Sequence, residues 1–191
     1  MRRRRVAALG VSLVWLCCHL ALFGLREDSS QLPAGYLVAQ VGLPLLLGAA
    51  CLVVALAPGK LGLGLGVSLI VGMALLGPVS FWLLALGVPV PHSPDTGAFD
   101  FWPGTLLCLD LTLSWAAVPL LLVAVSLRRS FAAHAPGRSA LVGAGVGLLS
   151  GGTINLHCDN VDRWHMAAGH GAPVLMAAVL GALLVARWTR A

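Results

Sequence analysis

The segment SALVGAGVGLLSGGTINLH, residues 139–157, contains no Lys, Arg, Asp or Glu. An uncharged apolar run of this length is typical of a membrane-spanning helix, which needs about 20 residues to cross the hydrocarbon core. Within it Gly143, Gly147 and Gly151 recur every fourth residue and form one stripe along the helix. Glycines at this spacing let a neighbouring helix approach closely. The segment therefore predicts a tightly packed membrane helix, whose partner lies either in the same chain or in a second copy.

Similar apolar segments lie on both sides of this one and cover most of the 191-residue chain. Hydrophobic residues make up 59% of the sequence and charged residues 10%, whereas a soluble domain has about half and a quarter. We predict a single all-α domain, a polytopic membrane protein with six transmembrane helices. The expected spans are about residues 6–25, 34–57, 61–88, 104–127, 139–157 and 169–186.

The distribution of charge predicts how these spans are oriented. Ten of the 12 Lys and Arg residues fall on the first, third, fifth and seventh segments outside the spans, and only Arg26 and Arg163 fall on the others. Short basic segments remain in the cytoplasm, so both termini are predicted to be cytoplasmic. This topology also explains the net charge of +5 without a nucleic-acid partner. The ten residues are Arg2, Arg3, Arg4, Arg5, Lys60, Arg128, Arg129, Arg138, Arg187 and Arg190.

Polar side chains that can bind metal ions gather near the predicted outer face. Thiolate and imidazole are ligands for soft and borderline metals, and a carboxylate within a span is a functional candidate. A metal site is one interpretation. The other is a hydrogen-bonded Asp–His network that only fixes helix packing, with unpaired cysteines that fill space. The candidates are Cys108 and Asp110 in the fourth span, Asn155, His157 and Cys158 at the end of the fifth, and His165 and His170 around the start of the sixth.

Other sequence features argue against catalysis. The chain has neither an HExxH nor a GxSxG motif, and no nucleophile is placed with Asp110 and His170, so we do not expect an enzyme. The three remaining cysteines lie inside apolar runs and are expected to be small buried residues. They are Cys17, Cys18 and Cys51.

The C-terminal half resembles the NrsF-like family, the negative regulators of sigma F, over residues 105–188. The most specific shared features are the Leu-His-Cys sequence that ends at Cys158 and the separation of Cys108 from Cys158 (158 − 108 = 50 residues). The resemblance also rests on the RR…PG stretch at 128–137, the preceding glycine-rich run, Gly169-His170-Gly171 and the closing Arg187-Trp188.

The resemblance implies a six-span anti-sigma factor in the bacterial inner membrane. Such a protein would hold an extracytoplasmic-function sigma factor at the membrane and release it on metal or redox stress. The stress would be sensed through a cysteine pair, here Cys108 and Cys158. From the residue types we add His157 and His170 as further metal ligands. A thiophilic divalent metal is then the expected signal, and no constitutive cofactor is expected.

The remaining polar residues receive supporting roles in this interpretation. Asp110 and His165 are expected to provide polar support around the metal ligands.

The family places a cytoplasmic segment before its first span, whereas only MRRRR precedes the first apolar run here. Docking of the sigma factor is therefore expected on the inner loop, at Arg128, Arg129 and Arg138.

Two other functions are compatible with the sequence. In a small transporter or metal-efflux accessory protein, Asp110, His157 and His170 would line a polar path. A transporter places its ionisable groups near the midplane of the bilayer, whereas these residues lie in the outer third, which favours sensing. In an assembly protein, the stripe at Gly143 would bind a partner helix.

Overall fold

The computed structural model describes residues 2–56, 66–89, 101–128 and 135–189, and every regular element in those ranges is helical. The predicted all-α class is therefore confirmed for the described residues. In chain order the helices are α1 (Arg2–Phe23), α2 (Ala34–Leu56), α3 (Val67–Gly87), α4 (Phe101–Ser126), α5 (Ala135–Ile154) and α6 (residues 163–189).

The outward surface of the bundle is apolar. Four of the described helices, α2, α3, α4 and α6, are long and apolar enough to cross a membrane, and α1 contributes a shorter apolar part, Leu9–Phe23. Leu22, Leu46 and Leu83 are each more than 60% exposed. A water-soluble monomer rarely exposes large contiguous apolar patches, so this surface is suited to lipid. The chain is a membrane protein.

Tryptophans mark the ends of this apolar surface. Trp102 lies at the start of α4, Trp164 at the start of α6 and Trp188 near the end of α6, and all three are more than half exposed. Indole rings favour the boundary between lipid and water. Their positions at the helix ends suit that boundary.

Helix α5 is the axis of the bundle. Sixteen of its 20 residues are buried, and it contacts all of the other five helices. Because protein surrounds it, its side chains need not be as apolar as those of a lipid-facing helix. The Gly-rich sequence of residues 139–157 therefore belongs to the most enclosed helix of the fold.

The glycine stripe of α5 brings its backbone against that of α6. A methyl group on Gly143 would overlap the carbonyl oxygen of Ala177, and a methyl group on Gly147 would lie 2.9 Å from the Cα atom of Val174. The stripe thus packs within the chain, which answers the question that the sequence left open. Only glycine allows this separation, since any Cβ atom would force the helices apart.

A second glycine contact joins α5 to α2 on the opposite face. A methyl group on Gly48 would lie 2.8 Å from the carbonyl oxygen of Gly145, and one on Gly145 would lie 2.9 Å from that of Gly48. Helix α5 is therefore held backbone to backbone on two sides. The positions of α2 and α6 relative to each other follow from these two contacts.

A proline explains the π-helical segment Val38–Gly42 of α2. Pro44 has no N–H group, so the carbonyl of Gln40, four residues earlier, loses its α-helical donor. In a membrane such a carbonyl must find another partner. The side-chain amide of Asn155 donates to it at 2.6 Å. The proline thus leaves a backbone carbonyl of α2 able to accept a hydrogen bond from the side chain of Asn155.

Helix α6 repeats this arrangement. Pro173 lies just after the π-helical segment Met166–Gly171, and it removes the donor to the carbonyl of Gly169. The hydroxyl of Thr112 in α4 lies 3.5 Å from that carbonyl oxygen. A second π-helical segment, Gly181–Val185, follows further along α6.

Helix α6 begins before the predicted start of the sixth span at residue 169. Its first residue is Arg163 because the Asp162 side chain caps it, accepting hydrogen bonds from the backbone N–H groups of Trp164 and His165. The extra residues carry His165 into the bundle. Hydropathy alone did not reveal them, since Arg163 and His165 are polar.

Replacement of Gly143 tests the central packing. We expect Gly143→Ala to lower the free energy of unfolding by about 1–3 kcal/mol, the usual cost of overpacking. The measurement is the thermal unfolding midpoint of the purified protein in detergent. Gly72→Ala in α3 is the matched control, because a methyl group there meets no atom within 4 Å. Equal midpoints for Gly143→Ala and the unchanged protein would contradict the close α5–α6 contact.

Candidate metal centre

Two cysteines and two histidines converge in the buried interior of the bundle. They are Cys108, Cys158, His165 and His170, and their ligand atoms all lie within 4.8 Å of one another. The two Sγ atoms are 3.5 Å apart, and Cys158 Sγ lies 3.3 Å from His165 Nε2. Both histidines are completely buried. Helix α4, the connection 155–162 and helix α6 each contribute at least one member to this Cys/His cluster.

Close packing places Cys108 beside α6. A methyl group on Gly169 would lie 3.3 Å from the Cβ atom of Cys108 and 3.2 Å from the carbonyl oxygen of Thr105. The small residue therefore lets α4 and α6 approach at the level of the cysteine. Cys158 follows the end of α5, where its backbone N–H donates to the carbonyl of Ile154 at 2.8 Å.

The π-helical turn brings the two histidines to the same side of α6. His165 and His170 are five residues apart, and at 3.6 residues per turn they would point in different directions. The wider π-helical turn Met166–Gly171 restores their alignment. Their ring centroids are 5.2 Å apart with an interplanar angle of 79°.

Each ring is held by a hydrogen bond at its other nitrogen. Thr105 Oγ1 lies 3.1 Å from His165 Nδ1, and Asn155 Oδ1 accepts from His170 Nδ1. Such contacts orient imidazole rings around metal ions in proteins. A hydrogen-bonded network therefore surrounds the Cys/His cluster, but the partners of its histidines are Thr105 and Asn155 and not the Asp that the sequence suggested.

The sulfur separation suits a shared metal ion. Two sulfurs on one tetrahedral zinc ion lie roughly 3.8 Å apart, because each zinc–sulfur bond is about 2.3 Å long. The observed 3.5 Å is close to this value. The hydrogen bond from the Cys108 thiol is the largest cause that lowers the pKa of Cys158, and burial opposes it. A metal ion would bind the thiolate forms of both cysteines.

Arg26 lies next to the connection that carries Cys158. Its guanidinium, only 1% exposed, donates to Asp28 at 2.6 and 2.8 Å and to the backbone carbonyl of Asp159 at 3.0 Å. Its backbone N–H donates to Leu156 at 2.9 Å. These bonds tie the connection between α1 and α2 to the one that carries Cys158. The hydrogen bond from Arg26 also lowers the pKa of Asp28, so this carboxylate stays ionised at neutral pH.

The sequence contained signals for two residues that we did not assign to the site. Arg26 was one of only two basic residues on the acidic side, and the structure gives it a buried role. Gln40 is a lone amide in an apolar span, four residues before Pro44, and its side chain donates to the carbonyl of Leu84 at 2.8 Å. An isolated polar residue next to a proline was the available clue.

His157, expected as a ligand, lies outside the Cys/His cluster. Its Nδ1 atom is 3.1 Å from the carbonyl oxygen of Gly24, and its ring lies 5.7 Å from Phe23 and 6.2 Å from Trp115. The turn after α5 sends the adjacent side chains of His157 and Cys158 in different directions. His165, expected only as support, occupies the position that we had assigned to His157.

Other expected residues also face away from the cluster. Asp110 is exposed, because two residues along a helix place it nearly opposite Cys108. Cys51 is buried as expected, whereas Cys17 and Cys18 are exposed on the outer face of α1. Sequence alone did not reveal which side of α1 faces the bundle.

The three arginines assigned to docking differ in their surroundings. Arg128 is exposed after the end of α4. Arg138 is only 8% exposed within α5, and this burial removes it from any free docking surface. Arg129 lies outside the described residues.

Comparison with known proteins relates the chain to a family. A family model described as negative regulator of sigma F matches residues 1–190, nearly the whole chain. The match extends well beyond residues 105–188, on which the resemblance rested. No curated protein and no solved structure matches the chain.

Replacement of Arg26 tests whether it shields the cluster. Arg26→Gln should raise the rate at which a membrane-impermeant maleimide labels Cys158 several-fold, because the two connections lose their link. Mass spectrometry of the labelled peptide measures the rate at a fixed neutral pH. Arg163→Gln is the control, since Arg163 is exposed on the other side of the same connection. An unchanged rate in Arg26→Gln would show that Arg26 does not limit access.

Proposed function

The chain belongs to the family of negative regulators of sigma F, and from this premise we propose a membrane anti-sigma factor that releases an extracytoplasmic-function sigma factor under metal or redox stress. Family membership makes the chain a sigma regulator. The observation that supports the sensing role is the buried cysteine pair, Cys108 and Cys158, with sulfurs 3.5 Å apart.

The chemistry of the pair suits both kinds of signal. A thiophilic divalent ion would bind both thiolates, with release of their protons. Hydrogen peroxide would instead remove two electrons and two protons from the two thiols and form a disulfide, while the peroxide becomes two water molecules. Either event would draw α4 towards the connection 155–162.

A route from this pair to the other end of the bundle runs through α5 and α6. The pair joins α4 to the connection between α5 and α6, and α5 packs against α6 through Gly143 and Gly147. A shift of α6 at the cluster would therefore be transmitted along α5 and α6 to the other end of the bundle. The signal changes the bundle only if it binds one arrangement better than the other.

We infer the orientation of the bundle in the membrane from the location of the proposed sigma factor. A sigma factor is cytoplasmic, so the basic ends of the helices, with the segment after Arg128, would face the cytoplasm. The cysteine pair then lies towards the outer side of the inner membrane. Six crossings follow if α1 and α5 span the bilayer with the four longer apolar helices. Protein surrounds α5, which explains how a less apolar helix crosses.

Replacement of the cysteines tests sensing. We expect Cys108→Ser and Cys158→Ser each to abolish induction of the sigma factor's target promoter by a thiophilic metal, with the double variant no worse than either single variant. Both thiolates are needed for one site, so loss of either is sufficient. The measurement is promoter activity with and without added metal.

The other cysteines provide the control for this experiment. Cys17→Ser, Cys18→Ser and Cys51→Ser should leave induction intact, because these residues lie outside the Cys/His cluster. A full response in the Cys108→Ser, Cys158→Ser double variant would return both residues to the role of core packing.

Reversal of the inner arginines tests docking and orientation together. Arg128→Glu combined with Arg129→Glu should weaken binding of the sigma factor. The remaining binding should depend less on salt concentration, since we propose that an acidic face of the partner meets this segment. Pull-down from detergent extracts provides the measurement. Arg163→Glu should bind as the unchanged protein does, because Arg163 lies at the opposite end. Undiminished binding after the double reversal would place the docking surface elsewhere.

A further inference from the structure

We propose that His165 and His170 complete a four-coordinate site with the two cysteines, and that Asn155 is the positioning residue that directs His170 into it. The ligand would be a borderline divalent ion of the zinc class, bound by two nitrogens and two sulfurs. This inference deepens the sensing part of the proposed function and rests on it for the role of the metal as a signal.

The first argument is an unsatisfied nitrogen. His170 is completely buried, and its Nε2 atom has no hydrogen-bond partner among the described residues. Buried polar atoms in folded proteins are nearly always paired. His170 contributes a ligand atom to the group that lies within 4.8 Å of Cys108 and Cys158. A metal ion between them would satisfy this nitrogen.

The second argument is the tautomer of the same ring. The carbonyl oxygen of Gln40 only accepts, so the end of Asn155 that faces it at 2.6 Å must be the NH₂ group. The oxygen of Asn155 then faces His170 Nδ1. An amide oxygen also only accepts, and His170 Nδ1 therefore carries the proton. In the neutral ring the lone pair is then on Nε2, as metal binding requires.

Pro44 explains why Asn155 cannot turn around. The proline deprives the Gln40 carbonyl of its helical donor, and the Asn155 amide supplies the replacement. Reversal of the amide would place two oxygens against each other and leave His170 Nδ1–H unpaired. The proline in α2 thus sets the tautomer of a histidine in α6.

The ring of His165 is oriented by contacts at both of its nitrogens. Its Nε2 atom lies 3.3 Å from Cys158 Sγ, and Thr105 Oγ1 lies 3.1 Å from its Nδ1 atom. With both rings directed at the sulfurs, the site offers an N₂S₂ ligand set. Thiolate with imidazole suits zinc and related divalent ions rather than magnesium or calcium, which favour oxygen.

Cobalt(II) added to the full-length protein in detergent tests the ligand set. Thiolate-bound, four-coordinate cobalt gives sulfur-to-metal charge-transfer absorption and strong visible bands, which six-coordinate cobalt lacks. We expect these bands at one ion per chain. His170→Ala should weaken binding and reduce the visible bands. His157→Ala is the matched control and should change neither, because that ring lies outside the cluster.

Two replacements of Asn155 separate positioning from a structural role. Asn155→Leu removes the acceptor for His170 and should weaken cobalt binding by about 10–100-fold, as loss of such supporting contacts does. Asn155→Asp keeps the acceptor for His170 Nδ1–H, but its second oxygen faces the Gln40 carbonyl and can donate to it only when protonated. Its cobalt affinity should exceed that of Asn155→Leu. Equal loss in both variants would reduce Asn155 to a structural tie and overturn its positioning role.

The outcomes separate this inference from the proposed function. Wild-type affinity and spectrum in His170→Ala would overturn the four-coordinate site, while metal-dependent release of the sigma factor through the cysteines would still stand. The expected cobalt spectra, together with a sigma factor that metal does not release, would overturn the proposed signal and leave the site intact. If Asn155→Leu does not fold, the His170→Ala and Asn155→Asp measurements still decide.

Discussion

The contact between the backbones of α5 and α6 at Gly143 and Gly147 is the constraint on which the rest of the structure depends. A lipid bilayer supplies little hydrophobic force between helices, so close van der Waals packing must hold them together. Residues without side chains give the closest packing. Because α5 is buried on nearly every side, its last residues determine where along the bundle axis the connection to α6 turns. That connection carries Cys158 and delivers it to the start of α6.

The Cys/His cluster depends on places where the helices are irregular. Pro44 and Pro173 remove backbone donors, and the released carbonyls of Gln40 and Gly169 lie beside Asn155 and Thr112. In lipid such carbonyls require partners, so the amide of Asn155 has a structural role. Its other end holds His170. The same bonds therefore stabilise the bundle and orient the candidate ligands, and a packing network and a metal site are not exclusive interpretations here.

The two ends of the bundle have different characters. At one end buried thiols and imidazoles face each other, and Arg26 ties the adjoining connections together. Towards the other end Arg138 is buried in α5, whereas Arg128 is exposed after α4. This division agrees with a protein that receives a signal at one face and binds a partner at the other. Helix α5 connects the two ends through the centre.

Properties that depend on composition and spacing could be read from the sequence itself. Long apolar runs predicted the helices, the four-residue spacing of Gly143, Gly147 and Gly151 predicted close packing, and the pattern around Cys108 and Cys158 indicated the family. These features are local, and helical periodicity translates them directly into structure. Capping by Asp162, which starts α6 early, is equally local, but hydropathy does not reveal it because the residues that follow are polar.

Tertiary structure decided the directions of individual side chains. His165 rather than His157 joins the cysteines because the turn after Ile154 separates neighbouring side chains, and a π-helical turn realigns residues five apart. Arg138 faces inward because the neighbours of α5 cover that face of the helix. Such choices depend on contacts between helices far apart in the chain. A period of 3.6 residues contains no information about them.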